Sequence, residues 1–143
     1  MRWVIANDHA GLALKGPLLA VFASLGIAVD DLGANTLDSV DYSDFGHAVA
    51  RAIAEGRYDR GVLICGTGIG IGIAANRHHG VRAALCGDVF SAKMSRMHND
   101  ANVLCLGARV VGPGVAEEIL RTFVAADFEG GRHQRRIDKI DAC

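Results

Sequence analysis

Hydrophobic residues along the chain alternate between short continuous runs and longer segments with a helical period. The short runs predict buried strands at roughly 2–6, 27–31, 60–65, 82–86 and 103–107. The segments between them predict helices at about 11–25, 42–55, 70–78, 88–98 and 112–125, with a further helical piece after Gly131. Strands that alternate with helices in this way predict a parallel sheet with helices on both faces.

Length and charge narrow the picture further. The 143 residues are enough for one hydrophobic core but not for two, so we expect a single domain over 1–143. A net charge of -1 gives no indication of nucleic acid as a partner. The apolar run at Met1–Ala6 is too short for a signal peptide, and no later run reaches the roughly 20 residues of a membrane span. We therefore expect a cytoplasmic protein without a membrane partner.

The cysteines are spread along the chain at Cys65, Cys86, Cys105 and Cys143. Because no two of them form a CxxC pair, their spacing argues against a zinc site and against a redox dithiol. Cys86 and Cys105 lie in apolar runs and are predicted to be buried core thiols. We expect neither a metal nor a cofactor.

Polar residues that follow strands are the candidates for a site, since parallel sheets bind ligands at the carboxyl ends of their strands. Asp8–His9 follows the first predicted strand and Cys65–Gly68 the third, while Asp88 and Arg109 follow the fourth and fifth. His98–Asp100 instead precedes the fifth strand, at the opposite end of the sheet. This placement suggests that the group serves the site of a neighbouring subunit across a dimer interface.

The segment Cys65–Gly72 is rich in glycine and invites comparison with nucleotide-binding loops. A GxGxxG pattern that started at Gly66 would need glycine at Ile71, and one that started at Gly68 would need it at Ile73. No Lys-Ser/Thr pair follows, as a P-loop requires. Because the segment matches neither pattern, the sequence argues against nucleotide binding. We interpret the segment as a glycine-rich turn whose backbone N–H groups can face a negative charge.

Cys65 stands at the mouth of this turn. A helix start and nearby N–H groups stabilise a thiolate there, which is the form that a general base needs. The same N–H groups can hold the oxyanion of an enediolate, and Thr67 can hydrogen-bond to that oxygen or to the thiolate. The alternative is a buried cysteine that merely ends a core strand.

Two further groups combine acid and imidazole side chains. Asp8 can act as a helix N-cap and His9 as a surface histidine, or together they can handle sugar hydroxyl protons and a phosphate. His98, next to Asn99, can belong to an ordinary turn at a helix end, or it can transfer protons in the opening of a cyclic sugar.

Arginines near the C-terminus form the last candidate group. Arg132 and Arg136 are four residues apart, which puts them on one face of a helix, and guanidinium groups suit a phosphate dianion. The alternative is a solvated basic face. Arg109 is a third candidate phosphate contact, or it bridges subunits.

Taken together, these motifs resemble type B ribose 5-phosphate isomerases over essentially the whole chain. The motifs that carry the resemblance are Asp8–Gly11, Cys65–Gly70, His98–Asn102 and Gly131–His133, in this order. The resemblance implies a Rossmann-like three-layer α/β/α sandwich with a five-stranded parallel sheet, built as one sugar-phosphate isomerase domain. It also implies a homodimer or dimer of dimers with active sites at the subunit interface, and a sugar phosphate as the substrate.

The resemblance also implies roles for individual residues. Cys65 would move the proton between C1 and C2 of ribose 5-phosphate, since the position where another branch of the family carries a glutamate is Ile71 here. His98 of the partner would open the furanose ring with Asp8. The other implied contacts are Thr67 beside the base, the backbone of Gly66, Gly68, Ile69 and Gly70 as anion hole, His9, Arg109, Arg132 and Arg136 for phosphate, and Asn99 and Tyr42 for sugar hydroxyls.

Two alternatives stay open at this point. The first is an isomerase that acts on erythrulose 4-phosphate, allose 6-phosphate or galactose 6-phosphate, because the same enediolate chemistry and the same motifs serve all of them. The second is a sugar-phosphate binding module without turnover, in which Cys65 and His98 would be dispensable.

Overall fold

The computed structural model describes residues 1–142, so the prediction for Cys143 lies outside the described residues. Within this range five strands and six helices follow one another along the chain. The strands are β1 (Trp3–Asn7), β2 (Val29–Asp31), β3 (Arg60–Cys65), β4 (Ala83–Leu85) and β5 (Val103–Gly107). The helices are α1 (Leu12–Ser24), α2 (Tyr42–Ala54), α3 (Ile69–Ala75), α4 (Val89–Asn99), α5 (Pro113–Ala125) and α6 (Arg132–Ile140).

The strands form one parallel sheet in the order β2-β1-β3-β5-β4. The three central strands are buried along their whole length, whereas the edge strands β2 and β4 have three residues each and are partly exposed. The sheet confirms the predicted five-stranded parallel architecture. No helix of residues 1–142 is both long and apolar enough to pass through a membrane.

Side chains of the central strands alternate between two hydrophobic layers, as the period of a strand requires. Trp3 and Ile5 of β1 pack with α1, α4 and α5 on one face of the sheet. Val4 and Ala6 pack with α2 and α3 on the other face, and Cys65 at the end of β3 belongs to this second layer. Helices on both faces confirm the three-layer α/β/α sandwich.

Two predicted boundaries differ from the structure by two residues or more, for local reasons. β2 begins at Val29 rather than at residue 27, because the N–H of Ile27 still donates to the Phe22 carbonyl at the end of α1. α3 ends at Ala75, short of the predicted 78, because the next side chain turns the chain towards β4. There the amide of Asn76 makes two hydrogen bonds, of 2.8 and 2.9 Å, with the backbone of Ala83.

A buried lysine fixes the segment that follows β2. Lys15 of α1 is 4% exposed, and its ammonium group donates to Ala34 O and Asn35 Oδ1, both at 2.8 Å. It also forms an ion pair of 2.9 Å with Asp31. All three ammonium protons therefore have partners. This anchor matters because the same segment leads to Val40, whose N–H contacts His9.

We predict that Lys15→Met lowers the free energy of unfolding by about 2–3 kcal/mol, because Asp31 and the Ala34 carbonyl lose a partly buried partner. Urea denaturation measures the change. Arg57→Met is the matched control, since the Arg57–Glu55 pair is exposed and its loss costs at most about 1 kcal/mol. Equal losses in the two variants would contradict the anchoring role of Lys15.

Candidate active site

The sheet order creates a crevice between β1 and β3. The chain leaves β1 towards β2 on one side, while β3, β5 and β4 extend on the other side. Such a switch point at the carboxyl edge of a parallel sheet is where this class of fold binds ligands. Asp8 follows β1 here, and the turn of Cys65–Gly68 follows β3.

Cys65 ends β3 opposite Gly107 and is 4% exposed. Its Sγ accepts the N–H of Gly68 at 3.1 Å. Gly68 directly precedes α3 and has φ +77°, a left-handed backbone that favours glycine. A Cβ on Gly68 would also lie 2.8 Å from the backbone of Leu106. The turn therefore needs glycine at this position, and the glycine directs a backbone donor at the sulfur.

The other two described cysteines have different surroundings. Cys86 uses its thiol as a donor to the Ala84 carbonyl at 3.7 Å. Burial raises the pKa of Cys86 to about 11, and burial together with the neighbouring cysteines raises the pKa of Cys105 far above its ordinary value. Both are buried core thiols, as the sequence predicts. Of the three cysteines in residues 1–142, Cys65 is the one whose sulfur accepts a hydrogen bond from a backbone N–H.

The side chains that flank Cys65 are held in place by short contacts. Thr67 Oγ1 accepts the N–H of Ile69 at 3.2 Å, which closes the turn into α3. The Tyr42 ring, at the start of α2, lies over Gly70, where an added Cβ would be 2.5 Å from Cε2 of the ring. Tyr42 is 46% exposed and lies beside the turn.

Asp8 and His9 lie next to the same turn. The carboxylate of Asp8, 4% exposed, accepts the N–H of Gly11 at 2.9 Å. Because α1 begins only at Leu12, Asp8 stabilises the preceding turn and is not the helix N-cap. His9 Nδ1 accepts the N–H of Val40 at 3.2 Å, which fixes the ring and, in the neutral form, puts its proton on Nε2.

Arg109 belongs to this group as well. The backbone N–H of Arg109 donates to Gly66 O at 3.0 Å. In its side chain, Nη1 of the guanidinium group lies 3.5 Å from the place that a Cβ of Gly66 would occupy. The structure thus brings most of the predicted site residues together at one edge of the sheet. They are Asp8, His9, Tyr42, Cys65, Gly66, Thr67, Gly68, Ile69, Gly70 and Arg109.

The remaining predicted residues lie at the opposite edge. His98 and Asn99 end α4, just before β5, and Asp100 follows with φ +44° as the helix C-cap. The five residues of β5 separate this end from the Cys65 edge by roughly 15 Å. Arg132 and Arg136 lie on α6, which packs against α4. The structure therefore divides the predicted residues into two groups.

Two residues beside His98 are absent from the predicted roles. His133 stacks on His98 with ring centroids 4.3 Å apart, and Glu129 Oε2 is 3.2 Å from Nε2 of His133. His133 stands in one of the motifs quoted above, whereas Glu129 precedes it. Glu129 and His133 are four residues apart, and this spacing is the one sign of their contact that the sequence contains. Their contact with His98 depends on how α6 packs on α4.

A groove of about 720 Å³ opens near the second group and does not include Cys65. It is lined mainly by residues 76–84, together with Asn99 and Asp141. Arg82 in this groove is already paired with Asp100 at 3.4 Å and with Asp141 at 3.0 Å. His78 and His79 also line this groove, but they belong to none of the predicted motifs, whereas Asp8, His9 and Cys65 meet at the switch point of the sheet. We therefore place the candidate site at the Cys65 edge.

Known proteins with the same architecture are numerous. The family model described as Ribose/Galactose Isomerase matches residues 3–140. A ribose-5-phosphate isomerase B from Clostridium thermocellum has a structure with TM-score 0.97 and 48% identity, covering 99% of this chain and 96% of that one. The ribose-5-phosphate isomerase B of Escherichia coli is 46% identical over 94% of this chain and 91% of its own. A D-erythrulose-4-phosphate isomerase of Pectobacterium atrosepticum is 41% identical over 95% and 90%.

The contrast among the thiols generates a prediction about reactivity. We expect iodoacetamide at pH 8 to alkylate Cys65 faster than Cys86, because a pKa of about 11 leaves only about one Cys86 thiol in a thousand ionised. Peptide mass spectrometry of a Cys143→Ser variant follows the modification. The unfolded protein, in which all sites react alike, is the control. Equal or faster labelling of Cys86 in the folded protein would refute the distinction.

Proposed function

The chain belongs to the ribose/galactose isomerase family, and on that premise we propose that it interconverts ribose 5-phosphate and ribulose 5-phosphate through an enediolate. The observation that carries the proposal is the hydrogen bond from Gly68 to the Cys65 sulfur, at the carboxyl edge where Asp8 and His9 also lie. This hydrogen bond supports the Cys65 thiolate, which is the base that removes the proton next to the carbonyl. The sugar-phosphate isomerases with 41–48% identity to this chain support the reaction class.

In the proposed mechanism the Cys65 thiolate removes the proton from C2 of the open-chain aldose. The electron pair moves into a C1–C2 double bond, and the carbonyl oxygen becomes an oxyanion that the turn of Gly66–Gly70 faces. The proton of the O2 hydroxyl passes to O1, the Cys65 thiol returns its own proton to C1, and the C2 carbonyl of the ketose forms. The Gly68 N–H supports the thiolate before the first transfer and after the second, and so lowers the cost of the charged base.

Ile71 supports the choice of base. It occupies the position at which another branch of the family carries a glutamate, and here it is fully buried in the layer of α2 and α3. A side chain without a titratable group can take no proton. We therefore assign the proton transfer to Cys65.

We propose that the phosphate binds between the two groups of residues, one from each subunit. His9 and Arg109 contribute from the chain that holds Cys65, and Arg132 and Arg136 from the partner. A phosphate dianion is well matched by guanidinium groups, which carry a positive charge and offer paired N–H donors. Asn99 of the partner and Tyr42 would contact sugar hydroxyls.

Two observations support a homodimer with shared sites. His98 and the arginines of α6 lie too far from Cys65 to act in the same chain, across roughly 15 Å of β5. In addition, large apolar side chains are exposed at the carboxyl edge, around the Cys65 turn. They are Ile69, Ile73, Leu85, Val89, Phe90 and Val110. A second copy that covers this surface would bring its His98 to Cys65.

We further propose a cytoplasmic location. A catalytic thiolate stays reduced in that compartment, whereas an oxidising compartment would endanger it. Cys65, Cys86 and Cys105 are free thiols among the described residues, which fits the same environment.

The test of the reaction is an assay with EDTA present and ribose 5-phosphate, erythrulose 4-phosphate, allose 6-phosphate or galactose 6-phosphate as substrate. We expect the highest kcat/KM for ribose 5-phosphate. Cys65→Ala should lower kcat by about 10²- to 10⁴-fold, the range for loss of a general base, while Cys86→Ala serves as the matched control with kcat unchanged.

Preference for another sugar phosphate would keep the mechanism and replace the substrate. Binding of sugar phosphate without conversion by the wild type would favour the binding module. Full activity of Cys65→Ala would remove Cys65 as the base.

The shared site predicts complementation between two inactive variants. Cys65→Ala and His98→Gln, co-expressed with different tags and purified as mixed dimers, should recover about half of the wild-type activity per dimer, because one of the two sites has both residues intact. The control pairs Cys65→Ala with the double variant Cys65→Ala/His98→Gln, which leaves no intact site. Mixed dimers as inactive as this control would show that each site lies within one chain.

A further inference from the structure

The segment between α5 and α6 is tied to the end of α4 through its backbone. The N–H of Glu129 donates to the Met97 carbonyl at 3.0 Å, one residue before His98. Gly130 and Gly131 follow with φ values of +67° and +58°, and they turn the chain so that His133 enters the first turn of α6. Glu129 and His133 are thereby placed against the last turn of α4, which carries His98.

Their side chains form a compact group of three. The rings of His98 and His133 stack with centroids 4.3 Å apart and planes 11° apart. Glu129 Oε2 lies 3.2 Å from Nε2 of His133 and 3.9 Å from Nε2 of His98. His133 is 4% exposed, whereas the side chains of His98 and Glu129 are 39% and 42% exposed. The buried ring of His133 thus supports the accessible ring of His98.

The carboxylate of Glu129 hydrogen-bonds to His133 and lies within ion-pair distance of His98. An ionised carboxylate only accepts hydrogen bonds, so His133 must carry its donated proton on Nε2. With its ring fixed, His133 offers a flat surface that holds His98 by stacking. The Nε2 edge of His98 then faces Glu129 of its own chain, and Nδ1 is the ring nitrogen left to face a ligand.

We propose that Glu129 is a positioning residue for the opening of the sugar ring, acting on His98 directly and through His133. This inference rests on the proposed function. In ring opening the O1 hydroxyl loses a proton, the C1–O4 bond breaks as the C1 carbonyl forms, and O4 gains a proton. His98 exchanges one of these protons with the sugar in the partner's site, and Glu129 keeps its ring in the orientation that this transfer requires.

The same three side chains form a cluster of possible metal ligands, since their donor atoms lie within 4.8 Å of one another. The ring geometry favours the positioning role. A histidine binds a metal through the lone pair in its ring plane. Rings whose planes differ by 11° direct these lone pairs side by side, so they do not converge on one ion without breaking the stack.

The first test compares ribose 5-phosphate conversion with solvent exchange at C1 of ribulose 5-phosphate in D2O, both with EDTA present. The ketose has its O5 phosphorylated and stays open-chain, so exchange at C1 needs the base but no ring opening. We expect Glu129→Ala to lower kcat for ribose 5-phosphate by roughly 10- to 100-fold, the cost of a misplaced catalytic group, and to leave the exchange rate within about twofold. His98→Gln should show the same pattern.

Matched variants exclude a purely structural effect. Glu118→Ala removes an exposed glutamate of α5 and should leave both rates unchanged. Glu129→Gln keeps an oxygen that can accept the His133 proton, and should recover part of the lost rate. His133→Phe keeps a flat ring beside His98 but removes the hydrogen bond to Glu129. The double variant with Glu129→Ala should lose little more of kcat than Glu129→Ala alone, because both residues act through His98.

Three outcomes would overturn the positioning role. They are normal ribose 5-phosphate conversion by Glu129→Ala, an equal fall of conversion and exchange, and loss of wild-type activity on chelation. A wild type that neither converts nor exchanges would instead refute the proposed function, whatever the Glu129 variants do.

Discussion

Direct backbone contact around the end of β3 is the constraint on which the site depends. Gly11 lies against the Ile64 carbonyl and Gly107 against the backbone of Thr67, where an added Cβ would be 2.6 Å from the Thr67 carbonyl. With no side chains between them, the turns after β1, β3 and β5 meet within hydrogen-bonding distance. This contact holds the Gly68 N–H against the Cys65 sulfur, and it places Asp8 beside the same turn. A methyl group at either glycine would separate the turns.

The strands and helices were predictable because each is encoded by a local pattern. β3 and β5 are buried on both faces and read as continuous apolar runs, so their boundaries agree with the prediction. The start of β2 was wrong by two residues because the hydrogen bond of Ile27 to the end of α1 leaves no mark in the hydrophobic pattern. The glycine-rich turn likewise indicated an N–H donor for Cys65, since that contact spans only three residues.

Contacts between distant segments were not predictable in this way. Lys15 is the one charged residue of an otherwise apolar helix, and only the packing of α1 against Asp31–Asn35 shows that it is buried with three partners. The group of His98 and His133 joins residues 35 positions apart and depends on the crossing of α4 and α6. The sequence identified His98 from its motif, but the side chains that orient it emerge only from tertiary structure.

The short edge strands restrict how two copies can join. β2 and β4 each offer only three residues of unpaired backbone, and a strand of this length makes a poor template for another chain. A continuous sheet that runs from one subunit into the next is therefore disfavoured. In the proposed dimer, recognition falls to side chains at the carboxyl edge, whose shape is specific to this chain. Because so little backbone is exposed at these edges, open-ended, fibre-like association through the sheet is disfavoured as well.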